Sequence, residues 1–230
     1  MKANKQLITL KPGESRELVV VQDQPGLVIP DAEWEISLPA GASLHMVFVS
    51  LCGAEIHNRI EVSLTGEGAS CDLSGLYLAD GTQRVDYDVR MDHLVPGCRS
   101  NQLFKGVVAG SAVTRFNGLI KVVPDAQKTE AYQANHNLLL SETAKALTQP
   151  QLEIYADDVK CSHGATIGRL DENELFYMRS RGIPEAEARL LQQMAFVQEV
   201  LDKIAAPEVR GSLQERVSRR LREMASILSK

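Results

Sequence analysis

Apolar and polar residues alternate strictly along much of the first two-thirds of the chain. Every second residue is apolar from Arg84 to Asp92, and the segment from Arg59 to Leu64 has the same pattern. A period of two is typical of a strand with one buried face. Short segments of this kind recur from about Leu7 to Ile167, so the pattern predicts a mainly β domain over residues 1–170.

Glycine and proline separate the predicted strands, because they are the strongest breakers of regular structure. We expect turns at Gly66–Gly68, Asp80–Gly81, Pro96–Gly97 and Gly106. No strict repeat is visible. A sandwich, a barrel and a β-helix are therefore all compatible with this pattern.

The hydrophobic period becomes helical at Asp171, a residue suited to an N-cap. Gly182 is expected to end the first helix, Pro184 to begin the next and Pro207 to interrupt the run. Two apolar stripes at helical spacing follow. They consist of Leu190, Met194, Val197, Leu201 and Ile204, and of Leu213, Val217, Leu221, Met224 and Leu228. The segment 171–230 has too few helices for its own core, so each stripe must pack on the β domain, on the other helix or on a partner.

The net charge of −5 and the pI near 5.6 argue against a nucleic-acid-binding protein. No apolar run approaches the roughly 20 residues that cross a bilayer, and the first residues lack the apolar region of a secretion signal. The four cysteines are far apart and form no CxxC motif. We therefore expect a cytoplasmic protein with reduced thiols and no membrane partner.

Cys161 and His163 are the most informative pair of polar residues. They are two positions apart in a strand-like segment, so their side chains lie on the same face. Thiolate and imidazole are ligands for iron, zinc or copper(I). Two ligands do not complete a tetrahedral site, so a second chain or further residues would have to contribute. A packed cysteine beside a hydrogen-bonded histidine is the simpler interpretation of this pair, and a nucleophile with its base is a third.

Other candidate residues carry weaker signals. His45, His57, His93 and His136 have no shared metal-ligand spacing and are expected to be surface or core histidines. A short predicted helix carries aromatic and arginine residues, which are enriched at protein interfaces. These are Phe176, Tyr177, Arg179 and Arg181, and Gly182 follows them. The sequence contains no P-loop, so a nucleotide would have to be bound by a partner.

Several segments together resemble the SufB/SufD family of scaffolds for iron–sulfur cluster assembly. They are 137–141 (NLLLS), 150–158 (PQLEIYADD), 161–166 (CSHGAT) and 175–183 (LFYMRSRGI). Further upstream, 118–122 (GLIKV) is also similar to the family, as are Ala126, Thr129, Ala131 and Gln133. The resemblance is dense from about Gly106 to Ala195.

The resemblance implies a right-handed parallel β-helix followed by a helical segment. It also implies dimerisation through the β-helix, with itself or with a SufB-like partner, and docking of SufC, an ABC-type ATPase, by the C-terminal helices. On this basis the protein is a non-catalytic scaffold component of the SUF system. An iron–sulfur cluster or iron would be held transiently at the dimer interface, with none bound stably by this chain alone.

The amino-acid sequence around His163 resembles that of the SufD branch of the family. In SufB the residues that flank the corresponding histidine are acidic, whereas Ser162 and Gly164 stand here. SufB also has a cluster-building cysteine in the segment that matches Asn135–Asn137, and this chain has none there. The SufD-type role in cluster assembly is therefore carried over to His163, with Cys161 as its neighbour. SufD proteins usually have a long extension before the β-helix, so we expect a short form without it.

Two other functions remain open from the sequence. A β-helix or cupin-like metalloenzyme acting on a small molecule or carbohydrate would need a cleft with several acids or a three-ligand metal site. An assembly factor with vestigial metal ligands would share the fold of a scaffold but not its chemistry at His163.

Overall fold

The structure, a computed structural model, describes residues 4–26 and 28–228 as a mainly β chain that ends in three helices. The strands are β1 (Asn4–Thr9), β2 (Ser15–Asp23), β3 (Val28–Leu38), β4 (Ser43–Cys52), β5 (Glu55–Leu64), β6 (Ser70–Ala79), β7 (Arg84–His93), β8 (Arg99–Val108), β9 (Val113–Val122), β10 (Glu130–Leu139), β11 (Lys145–Ile154) and β12 (Lys160–Gly168). The helices are α1 (Glu172–Ser180), α2 (Glu185–Leu201) and α3 (Pro207–Leu228).

Odd and even strands form two separate six-stranded sheets. Each strand pairs in parallel with the strand two positions along the chain, so the chain climbs one turn for every two strands. This arrangement is a parallel β-solenoid of about six turns. The predicted β-helix is confirmed, and the sandwich and the barrel are excluded. The odd strands are called the first sheet below, and the even strands the second sheet.

The hydrophobic core fills the space between the two sheets. Alternate residues of β5, β7 and β9 are buried there. The pattern holds along the whole length of β7, which confirms the alternation predicted from Arg84 to Asp92. Aromatic rings run through the middle of this interior. Phe48, Tyr87, Phe104 and Phe116 are each at most 1% exposed, and their ring centroids lie 4.9–6.0 Å from those of their neighbours. Rings at these separations add to the stability that their burial provides.

Gly106 does not form the predicted turn. It lies inside β8, where the ring of Tyr77 and the amide of Asn137 occupy the space that a side chain would need. A Cβ atom at this position would be 2.0 Å from Cε2 of Tyr77. Glycine is thus required here because the ring of a neighbouring strand approaches the backbone closely. The sequence alone does not distinguish such a glycine from one that forms a turn.

The predicted start of the helical segment is confirmed. The carboxylate of Asp171 accepts hydrogen bonds from the backbone N–H groups of Asn173 and Glu174 at 2.8 and 3.1 Å, as an N-cap does. Gly182 follows the end of α1 with φ of 86°, a conformation that favours glycine. Ile204, by contrast, lies beyond the end of α2 but is still fully buried. Pro207 is the first residue of α3.

Both apolar stripes pack on the outer face of the second sheet. Val197, Leu201, Val217 and Leu221 are fully buried in one cluster with apolar residues of the second sheet. The strand residues of this cluster include Val47, Val49, Leu76, Leu78, Leu103 and Val107. The side chain of Leu228, also predicted in the second stripe, lies outside the described part of the chain. Of the alternatives left open by the sequence, packing on the β domain and on the other helix are both observed.

Ion pairs fix the helices on the solenoid. Arg220 donates to Asp80 at 2.6 Å and to the carbonyl of Leu51 at 2.9 Å, and Arg216 pairs with Asp23 at 2.6 Å. On α2, Glu199 forms an ion pair with the nearly buried Lys105 of β8. The helices and the second sheet are therefore connected by charged contacts as well as by a shared apolar core. No helix in the described residues has the length and hydrophobicity needed to cross a membrane.

Candidate functional site at the end of the solenoid

The last turn of the solenoid leaves two strands uncovered. In the described structure β12 pairs with β10, and β11 pairs with β9, and neither strand has a further partner on its outer edge. Nearly every residue of β12 is exposed. Apolar side chains also reach solvent here, with Leu147 and Ile167 each about half exposed. An exposed edge of this kind is a template for pairing with another strand.

Both predicted ligands lie on β12. Cys161 is in register with Ala131 of β10, and His163 is in register with Gln133. Parallel neighbours in register share a face, so both side chains lie on the face that is interior in the preceding turn. Cys161 packs against the solenoid core and is partly buried, whereas His163 is exposed. The two residues therefore share a face at the open end of the solenoid.

Burial raises the pKa of the Cys161 thiol, and a backbone hydrogen bond from Ala131 only partly opposes this shift. The thiol form therefore predominates near neutral pH. Because the thiolate is the form that binds metals and attacks electrophiles, Cys161 is a weaker ligand and a weaker nucleophile than an ordinary cysteine. Among the described residues no group of three or more His, Cys, Asp or Glu side chains is placed to hold a metal ion.

Amide side chains that the sequence did not single out as site residues lie behind this end, inside the solenoid. Gln133 is 3% exposed and donates to Oε1 of buried Gln102 at 2.9 Å. Oε1 of Gln133, Nε2 of Gln102 and Oγ1 of Thr148 are buried without a protein hydrogen-bond partner. Such atoms are uncommon in protein interiors. Gln133 was noted only for its resemblance to the family, and amide residues carry no sequence signal that distinguishes a buried position from an exposed one.

The segment Asn135–Asn137 also contributes to this polar interior. Nδ2 of Asn135 donates to the hydroxyl of Tyr77 at 3.0 Å, and that hydroxyl donates to Oδ1 of Asn137 at 2.7 Å. Nδ2 of Asn137 closes the network on Oδ1 of Asn135 at 2.8 Å. Burial raises the pKa of Tyr77, so its hydroxyl stays protonated and can donate. Asn135 and Asn137 thus belong to one buried amide network.

The other histidines are distributed over the solenoid and do not join the pair on β12. His57 lies between Asp31 and Asp88, at 3.2 and 2.7 Å, on the outer face of the first sheet. His93 is fully buried and contacts Ser100 at 2.8 Å, while His136 contacts Thr166 at 2.7 Å. Nε2 of His45 is buried without a partner. Nδ1 of His93 is also buried without a partner. The four histidines are thus separate surface and core residues, as expected, but His45 and His93 are each only partly satisfied.

A second exposed surface is formed by α1 and the turn after it. Phe176 is 74% exposed, and Tyr177 is 58% exposed. The guanidinium of Arg181 lies 5.0 Å from the ring of Tyr177 and donates to its hydroxyl at 2.7 Å. Arg179 is engaged with Glu185 at 3.5 Å, and the position of Gly182 is explained by the helix end. We call Phe176, Tyr177 and Arg181 the α1 surface.

The sequence profile described as "SUF system FeS cluster assembly, SufBD core domain" matches residues 8–196, which are most of the chain. The chain belongs to the SufBD family. This finding confirms the resemblance and agrees with the solenoid, its two parallel sheets and the helices that follow.

Similar proteins are named after the same system. The chain is 37% identical over 171 residues to the iron–sulfur cluster assembly protein SufD of Escherichia coli, which covers 74% of this chain and 40% of that protein. It is 38% identical over 188 residues to an iron–sulfur cluster assembly SufBD family protein of Mycobacterium tuberculosis, covering 78% of this chain and 47% of that one. A SufBD family protein of Synechocystis is 37% identical over 175 residues, or 75% of this chain and 38% of the relative. The chain thus spans less than half the length of these relatives.

Proposed function

We propose that this protein is a non-catalytic scaffold component of the SUF iron–sulfur cluster assembly system. The observation that carries the proposal is the open last turn of the solenoid, which presents Cys161 and His163 on an unpaired edge strand within a SufBD family fold. Its partners would be a SufC-like ABC ATPase and a second scaffold chain. The similar proteins named for iron–sulfur cluster assembly support the same system.

The uncovered edges support a dimer as the working form. β11 and β12 present unpaired backbone groups together with Leu147 and Ile167, so a second solenoid end would satisfy the hydrogen bonds and bury the apolar side chains. The partner is a SufB-like chain or a second copy of this one. In either dimer, strands of the two chains would meet close to His163.

His163 is the residue that we propose acts on the cargo of the system, iron or a nascent cluster. Its imidazole is exposed and on the same face as Cys161. Imidazole and thiolate from two chains together would supply the ligands that one chain lacks. Because burial raises the pKa of Cys161, we assign the larger part of this role to His163.

The α1 surface is the proposed docking site for the ATPase. A groove of about 700 Å³ between α1 and α2 adjoins it, and Tyr177, Leu191 and Phe196 contribute to its lining. Aromatic residues and arginine are the side chains that most often dominate binding at interfaces. ATP-driven movement of the partner would be transmitted to the solenoid through α2, which is fixed to β8 by Lys105 and Glu199.

Co-purification with a SufC-like ATPase and a SufB-like protein tests these assignments. We expect the wild-type chain to form a complex in which anaerobic iron and sulfide analysis detects cluster formation. Phe176→Ser combined with Tyr177→Ser should remove the ATPase and leave the scaffold dimer. Leu7→Ser is the matched control, because Leu7 is 69% exposed at the far end of the solenoid. Unchanged ATPase binding by the double variant would refute the docking assignment.

An assembly factor without metal ligands is the second candidate, and the raised pKa of Cys161 favours it. The cluster yield of His163→Ala distinguishes the scaffold from the assembly factor. A complex that forms normally and assembles clusters normally after His163→Ala would establish the assembly factor, whereas loss of cluster yield in an intact complex would establish the scaffold with a ligand role.

A further inference from the structure

A cavity of about 790 Å³ lies where the three helices meet the ends of β10 and β12. Apolar side chains form much of its wall, among them Leu140, Leu170 and Leu190. The cavity opens on a different side of α2 from the groove beside the α1 surface, and it contains neither Cys161 nor His163. It has the size range of sites that hold small organic molecules.

A buried amide marks one wall of this cavity. Gln193 of α2 is 3% exposed, and its Oε1 is buried without a protein hydrogen-bond partner. A buried carbonyl oxygen that is left unpaired destabilises the protein, and such atoms are uncommon in protein interiors. Because Oε1 is buried, the side chain of Gln193 would have to turn toward the cavity to accept a hydrogen bond from a ligand, and that bond would satisfy the unpaired oxygen.

The charged residues around the cavity are mainly basic. Arg169 and Arg222 line it from the end of β12 and from α3, and neither has an ion-pair partner among the described residues. A third arginine, Arg189, is already paired with Glu185 at 2.9 Å. Glu172, at the start of α1, is the remaining acid in the lining. The lining thus contains two unpaired guanidinium groups and one unpaired carboxylate. This excess of positive charge favours an anionic ligand.

We propose that this cavity binds a small organic anion that has an apolar body and a hydrogen-bond donor. Arg169 and Arg222 would bind the carboxylate, sulfonate or phosphate group, Leu140, Leu170 and Leu190 would contact the apolar body, and Gln193 would accept from the donor. The cavity does not contain Cys161, His163 or the residues of the α1 surface, but Arg169 and Leu170 also line the groove beside that surface. Ligand binding is therefore measured on the chain alone, without the ATPase.

Anilinonaphthalene sulfonate is a suitable probe, because it combines a sulfonate, fused rings and an N–H donor. We expect a saturable fluorescence increase with one site per chain. Arg169→Glu and Gln193→Leu, tested singly, should each weaken binding about tenfold, the effect of losing one charge-assisted or buried hydrogen bond. Arg219→Ala is the control, because Arg219 is an exposed arginine of α3 that does not line the cavity.

Competition experiments distinguish the contribution of the anionic group to binding from that of the apolar body. Decanoate should displace the dye, whereas decanol and inorganic phosphate at the same concentration should not. Arg169 is exposed, so its replacement should leave thermal unfolding unchanged and the comparison valid. Dye binding that is equal in the wild type and in both cavity variants, or displacement by decanol as effective as that by decanoate, would overturn the proposal.

Discussion

At the scale of single residues, close contacts inside the solenoid decide which positions tolerate a side chain. Gly106 faces the ring of Tyr77 and Oδ1 of Asn137, which a Cβ atom would approach to 2.0 and 2.5 Å. The space beside Gly168, in the last strand, is open for at least 4 Å. A side chain would therefore clash at Gly106 but not at Gly168, although both glycines lie in the second sheet.

Gly106→Ala should lower the free energy of unfolding by about 1–3 kcal/mol, the usual cost of overpacking a core. The ring of Tyr77 would have to move and would break its hydrogen bonds with Asn135 and Asn137. Urea unfolding measures the change. Gly168→Ala is the matched control and should be nearly neutral, so equal effects of the two substitutions would contradict the packing described for Gly106.

His93 makes the stability of the solenoid depend on pH. Burial lowers its pKa from 6.5 to about 4, so the unfolded chain binds a proton more tightly than the folded chain does. The stabilisation is complete above pH 6.5 and decreases as the pH falls from 6.5 towards 4. The loss amounts to roughly 3 kcal/mol, at about 1.4 kcal/mol for each unit.

Urea unfolding at neutral pH and at acid pH tests this dependence. The wild type should lose more stability between the two conditions than His93→Gln, because glutamine does not titrate. An equal loss in His93→Gln and in the wild type would show that other groups cause it.

At the scale of elements, local periodicity was enough to place strands and helices but not to pair them. The alternation from Arg84 to Asp92 and the N-cap Asp171 predicted β7 and the start of α1. A period of two says which face of a strand is buried, but it contains no information about the parallel neighbour, which is about thirty residues away. The choice of a β-helix therefore came from family resemblance.

The interior amides mark a second limit of the sequence. Gln102 and Gln133 read as polar positions that break a strand pattern, yet both are buried beside the open end. Only the register of β8, β10 and β12 brings them next to His163. Cys161 and His163 could be recognised because their residue types have metal chemistry, whereas an amide becomes notable only through its surroundings.

One of the ion pairs that attach α3 to the solenoid is nearly buried. The side chain of Asp80 is 9% exposed and that of Arg220 is 13% exposed, and Arg220 also binds the carbonyl of Leu51. Arg220→Ala should destabilise the protein by roughly 3 kcal/mol, because it leaves a buried carboxylate without its partner. Arg219→Ala, one position away and exposed, should change stability little. Thermal unfolding compares the two, and an Arg220→Ala variant as stable as the wild type would mean that this ion pair contributes nothing to the attachment of α3.

At the scale of the whole molecule, the proposed dimer contact and the proposed ATPase contact lie on different parts of the structure. Helices cover the outer face of the second sheet, the α1 surface is exposed beside them, and the last turn is open. The division into a β-helix domain of residues 1–170 and a helical segment of 171–230 stays a prediction. Because the helices share a core with the second sheet, we expect removal of the helical segment to expose apolar residues such as Val47 and Leu76.

Cluster yield in a reconstituted SUF complex, compared between the wild type and His163→Ala, tests the central claim most directly. The substitution removes little buried apolar area, so thermal unfolding and complex formation should be unchanged while anaerobic iron and sulfide content falls. Cys161→Ser should have a smaller effect on yield, because burial keeps its thiol protonated. An intact complex of His163→Ala with the cluster yield of the wild type would contradict the role assigned to this histidine.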